Sequence, residues 1–380
     1  LHTTRHTAPT VRLRQTRWQQ AFAALLVAVM GLVGCKGVDE ATPTWHTDVR
    51  PIIEQSCVSC HDGEGGLTSI RLDSYEEASA WQAAISAAVE SRTMPPWGAA
   101  EGCNEYRDDL SLSQEEIDTI VAWADGGAPE GDPALAAPEV EPWTPAELSE
   151  VDLTLQMPVA YTTDGAPDDY RCFIVEWPYD ETVWATGFEI VPDNTAVVHH
   201  VVPFIIDPDD VDTFHQMDAD EEGEGYTCFG GPGGDPVTLI NTRWLGSWTP
   251  GSGAVELPEG FGFHIDPGSI IVMQMHYNVS DPSVEPDQSW IDVRLETEEQ
   301  KEADIFRWAD FTWLFGVGME IPANTDNVEH TFTYLHTDTD ARYTVHSVMP
   351  HMHNMGQSID VRINHEDGSS TCLLEEPRYD

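Results

Sequence analysis

From Val151 onward the sequence runs in short alternating apolar and polar stretches broken by Gly and Pro, and no other feature constrains the fold so tightly. A period of two puts apolar side chains on one face of an extended strand, and that face must be buried against another layer. Gly, Pro, Trp and β-branched residues outnumber good helix formers in this half, so the pattern predicts an all-β sandwich or barrel.

The preceding residues follow another rule. Val49 to Ser56, the Ala-rich amphipathic stretch Tyr75 to Ser91, and Ser113 to Ala124 read as helices; the last opens with the capping box Ser113-x-x-Glu116 and stops at Gly126-Gly127. A Pro- and acid-rich linker over 132–150 separates the two regions. With 380 residues and 41% hydrophobic content, a multidomain chain with real cores is expected.

Two features concern where the chain works. Residues 1–20 are basic, Ala21 to Gly34 is an apolar run too short to span a bilayer, and Leu32-Val33-Gly34-Cys35 resembles the lipobox of bacterial lipoproteins. A signal peptide over 1–34, lipidation at Cys35 and a tether over 35–44 are the resulting expectations, with a plain signal peptide or a buried helix as alternatives. They place the protein in the cell envelope, facing the periplasm or exterior, on a membrane only through its lipid. The chain begins at Leu1, so an alternative start codon or a fragment is implied. The charge is −50, from 17 Lys+Arg against 67 Asp+Glu, which repels nucleic acid and anionic headgroups alike.

Cys57-Val58-Ser59-Cys60-His61 is the attachment pattern for a c-type haem: two thiols spaced for the vinyl groups and an adjacent imidazole for the iron. A redox dithiol is the competing reading, but it needs a βαβ frame that the surrounding text lacks. Met94, in the rigid Met94-Pro95-Pro96-Trp97 loop, is the candidate for the opposite axial ligand, a core methionine being the other reading. Together these resemble a small all-α class I cytochrome c domain over 45–131. Cys103 has no obvious partner in it.

Histidines then recur at three places. His199-His200 sits in the β-branched run Thr195 to Phe204; neighbours on a strand face opposite ways, so both reach one metal only if the strand ends or distorts there. Ile270 to Asn278 alternates so that Gln274, His276 and Asn278 share a face. In Met349-Pro350-His351-Met352-His353-Asn354-Met355 the two imidazoles share a face with Met349 and Met355, a soft ligand set that favours copper. His46, His215, His264, His330, His336, His346 and His365 carry no assignment; surface or satisfied polar positions suit them.

The ordered set, His-His, then Gln274-Met-His276-Tyr-Asn278, then His351-x-His353 with Gly356 beyond, resembles the copper type II, ascorbate-dependent monooxygenases, the family of peptidylglycine α-hydroxylating and dopamine β-monooxygenases. That resemblance implies double jelly-roll-like β-sandwiches, the first over 151–298 and a second, incomplete one over 299–380. It implies two copper ions, an electron-transfer copper held by His199, His200 and His276, and an oxygen-binding copper held by the catalytic pair His351 and His353 with a Met as third ligand. It further implies a disulfide between Cys172, in Tyr170-Arg-Cys172, and Cys228. The family's Met ligand follows in a Met-Cys motif, past a segment like Cys372 to Asp380, where this sequence stops; a truncated site is the expectation, with Cys372 lacking its partner. Met355 is poorly placed to substitute. Met349 stands where the peptide-amidating branch has a basic residue for the substrate carboxylate, which argues against a peptide C-terminus.

The function so implied is an exported haem- and copper-containing monooxygenase that uses O2, an external electron donor and a small organic substrate. The rival is a non-enzymatic surface lipoprotein that transfers electrons or binds copper. Zinc at the same histidines would keep the fold and lose the redox logic.

Overall fold

A computed structural model describes residues 42–380, apart from 64–67, 69, 164–166, 235–241, 280–284, 311, 314–315, 336–341, 353–354 and 380. The stretches expected to be a leader and most of the tether, with Cys35 between them, lie outside the described residues. Among those described, no helix is long and apolar enough to cross a membrane.

Among the described residues five α-helices precede the β region: α1 (Arg50–Ser56), α2 (Val58–His61), α3 (Tyr75–Ala80), α4 (Gln82–Glu90) and α5 (Gln114–Asp125). The expected capping box holds α5, with Ser113 accepting from the Glu116 amide and Glu116 accepting from the Ser113 amide. Trp45, Val49, Ile53, Ile85, Val89, Leu112, Ile117, Ile120 and Trp123 form an apolar cluster of their own. Past it the chain makes one 3-10 turn at Pro133–Leu135 and is otherwise extended but tied down. Ala137 N–H donates to the His46 carbonyl at 2.9 Å, and Trp143 N–H donates to the Gln55 carbonyl at 3.0 Å.

The remainder is mostly β-sheet. Its strands are β1 (Leu153–Gln156), β2 (Asp168–Glu176), β3 (Val183–Val191), β4 (Val198–Ile206), β5 (Tyr226–Thr227), β6 (Arg243–Trp244), β7 (Val255–Glu256), β8 (Phe261–Ile265), β9 (Ile270–Asn278), β10 (Trp290–Glu296), β11 (Lys301–Glu302), β12 (Ile359–Asn364) and β13 (Ser370–Glu376). One sheet runs β1-β10-β3-β8-β11 with β7 on the side of β3; a second runs β5-β2-β9-β4-β6. Their facing side chains make one core: Val183, Phe188, Ile190, Phe263 and Ile291 from the first sheet meet Phe173, Val201, Ile271, Met273 and Tyr277 from the second. This is the arrangement of a β-sandwich.

The other face of the second sheet is covered by helix α6 (Val211–Asp220), whose Phe214 packs with Phe204, Ile270 and Val272. Covered on both sides, β9 is buried from Ile270 to Tyr277. That explains why its first residues read as an unbroken apolar run rather than an alternating one.

The expected Cys172–Cys228 disulfide is present. Cys103 and Cys372, for which no partner was evident in the sequence, are bonded to each other across 269 residues. One expectation is not met. Over 299–380 the described residues form only β11 and the two-stranded hairpin β12–β13, not a second sandwich. A lone hairpin has no second layer to bury against, and Phe306, Trp308, Val317, Met319, Tyr334 and Tyr343 are exposed there.

Candidate metal centre

β4 and β9 are antiparallel neighbours in the second sheet, and their register carries the distortion that two adjacent histidines require. Val198 pairs with Tyr277 and His200 with His276, so two steps on β4 match one on β9. That extra residue is a β-bulge, which bends the strand and re-aims side chains. His199 and His200 thereby turn toward the same point as His276.

The three imidazoles converge through Nδ1. His199 Nδ1 and His276 Nδ1 each lie 3.3 Å from His200 Nδ1, and the donor atoms of the three lie within 4.8 Å of one another. A tetrahedral metal with bonds to nitrogen of about 2.0 Å has ligand–ligand edges of about 3.3 Å, so the two edges that meet at His200 fit one ion held by the three rings.

Electrostatics keeps His200 and His276 neutral. Burial, then the charges of His276, His199 and His351, push the His200 pKa down to about 4. Burial likewise lowers His276, against the raising effect of Asp168. Their lone pairs are available across the neutral range.

Beside the trio stands Asp168, which the sequence did not single out. His276 Nε2 donates to Asp168 Oδ1 at 3.0 Å, which leaves Nδ1 bare toward His200. Asn278 donates to the same oxygen at 2.9 Å. These bonds, Asn278 first and His276 second, hold the Asp168 carboxyl below the usual carboxylate range. Tyr170, paired with His276 across β2 and β9, stacks on its ring at 4.0 Å between centroids. Alternation along β2 placed Asp168, Tyr170 and Cys172 on one face, a signal that only the register with β9 turns into a site. Gln274, on the His276 face, is instead spent on the core, donating to the Gly231 carbonyl at 2.6 Å.

Outer-shell partners of a ligating histidine are worth about 10- to 100-fold in metal affinity. Asp168→Ala is therefore expected to weaken Cu(II) binding at the trio by about that factor, as read by competition with a chelator of known affinity. Unchanged affinity would show that Asp168 does not orient His276.

The histidines expected downstream are only partly described. His351 lies close enough for its charge to weigh on His200, and Ser247 Oγ donates to the Met349 sulfur at 3.3 Å, tying this segment beside the trio's sandwich. His353 lies outside the described residues. Met355 is exposed. Of the unassigned histidines, His46, His215 and His264 face carboxylates, His365 meets Thr371, His330 and His346 lie against Trp313 and Phe261, and His336 is outside the described residues.

Cys57, Cys60 and His61 are the residues that would hold a covalent haem. Both thiols are free. Burial first, and the Cys60 charge second, push Cys57 up to about 12, which keeps its sulfur protonated and poorly fitted to dithiol exchange. His61 Nδ1 donates to the Ile70 carbonyl at 2.9 Å, fixing the tautomer whose Nε2 can ligate iron. Met94 is 45% exposed, so it is no core residue. It lines a pocket of about 220 Å³ with Arg92, Trp97, Leu112, Pro377 and Arg378, and Cys57, Cys60 and His61 are not among the lining residues of that pocket.

No family model matches the chain, and no curated protein matches it significantly.

Proposed function

We propose that the chain is an exported copper-dependent monooxygenase that hydroxylates a C–H bond of a small organic substrate with O2. A lipid on Cys35 would hold it in the cell envelope. One copper would be held by His199, His200 and His276, a second by His351 and His353, and a c-type haem by Cys57, Cys60 and His61 with Met94 as the opposite ligand. The observation that carries this reading is the convergence of three Nδ1 atoms across a bulge in paired strands.

Copper supplies one-electron storage and open positions for O2, and a haem supplies one-electron transfer from an external donor. The residues do the rest. Asp168 takes the Nε2–H of His276 and so presents its Nδ1; Tyr170 covers the ring; the Ile70 carbonyl does for His61 what Asp168 does for His276. The acidic surface leaves anionic macromolecules out as substrates and favours neutral or cationic ones.

Supplied with Cu(II) and ascorbate, the purified full chain is expected to consume O2 in a manner that depends on added small-molecule substrate, and His351→Ala to fall to background. Uptake no higher in the wild type than in that variant, across a panel of substrates, would sink the enzyme reading. A second reading has one observation in its favour: among the described residues the only three-histidine cluster is the trio. A copper-binding or electron-transfer lipoprotein needs no more than that, and it predicts copper uptake without oxygen consumption.

A further inference from the structure

We infer that the terminal hairpin is a brace for the His351 segment, with Tyr379 as its positioning residue and the Cys103–Cys372 disulfide as its anchor on the Met94 loop. At the anchored end, Cys103 is bonded to Cys372 of β13. On either side of that bond, Ala100 N–H donates to the Glu375 carbonyl at 2.7 Å and the Tyr106 hydroxyl to the Leu373 carbonyl at 3.2 Å. The loop after Met94 thus lies along the strand, and Pro377 and Arg378 line the same pocket as Met94.

The next residue closes the other end. Tyr379 N–H donates to the Gln357 carbonyl at 2.9 Å. Its hydroxyl accepts from Met352 N–H at 2.8 Å and donates to the Met352 carbonyl at 3.0 Å. A phenol carries donor and acceptor at the tip of a stiff arm, so one side chain clamps both polar groups of the residue that follows His351. From the opposite direction, Ser247 holds Met349. Among the described residues of 303–358 there is no strand, so side-chain clamps, not a sheet ladder, fix where His351 stands.

What His351 is positioned for rests on the copper reading; the brace itself does not. The test is amide hydrogen exchange on the full chain. Tyr379→Phe keeps the ring and removes the clamp, and exchange at Met352 is expected to quicken about tenfold, the worth of one hydrogen bond. Cys103→Ser/Cys372→Ser is expected to quicken exchange both in 97–106 and in 349–352. With Cu(II) bound, Tyr379→Phe should alter the paramagnetic spectrum of the second site and leave that of the trio unchanged, which general loosening of the fold would not do.

Unchanged exchange at Met352 in Tyr379→Phe overturns the inference. So does a disulfide variant that loosens 97–106 alone. Should the double variant fail to fold, Tyr379→Phe decides by itself. A wild type that binds a single copper would remove the second-site reading of His351 while leaving the exchange result to decide the brace.

Discussion

Replacement of His200 by alanine is expected to lower Cu(II) affinity at the trio by roughly a thousandfold or more, because even an outer partner of such a ligand is worth about 10- to 100-fold. His200 is the vertex of the cluster, 3.3 Å from each of the other two Nδ1 atoms, and without it the remaining pair cannot hold a three-nitrogen site. The same change should act in the opposite sense on the metal-free protein in acid. His200 titrates near pH 4 when folded, against an ordinary value of 6.5. Between those values the unfolded chain binds the extra proton, so stability rises with pH and is lost as pH falls through that window. The variant lacks this loss. Its urea midpoint should therefore fall less than that of the wild type between pH 6.5 and 4. Equal pH profiles would mean that His200 is not buried among its neighbours as described.

The second large effect is all or none. Expressed with a c-type haem maturation system, the wild-type chain is expected to carry haem through denaturing electrophoresis, and Cys57→Ser/Cys60→Ser to carry none. Both thiols are free and stand one helical turn apart beside His61, whose Nδ1 is already committed to Ile70. His61→Ala would retain attachment but change the axial field, visible as a shifted absorption spectrum. A wild type that stains no differently from the double serine variant would return Cys57 and Cys60 to the reading of plain thiols.

The sandwich was legible because alternation is a local property: the longer strands that alternate announce their buried face in their own residues. So was the requirement at His199-His200, since adjacent side chains on a regular strand diverge and something had to bend. The sequence could not say that a bulge against β9 does the bending, because a bulge is defined by the partner strand. Asp168 was missed for a related reason. It meets Asn278 and His276 only through the register between β2 and β9, and register is a relation between two strands. The Cys172–Cys228 bond followed from resemblance, whereas Cys103–Cys372 joins a helical-region loop to a distant hairpin and has no local signature. The second sandwich failed as an expectation because apolar residues over 303–355 promise burial but do not name the surface that covers them.

The extended strap after the helices has a practical bearing. Composition suggests cutting the chain near residue 131 to isolate the helical part, yet Ala137 and Trp143 complete backbone bonds to His46 and Gln55 beyond that point. A fragment intended for separate expression should run from Thr42 to about Trp143, and it would carry Cys103 as an orphan thiol prone to cross-link two copies. Serine at 103 is the natural companion change for any such excision.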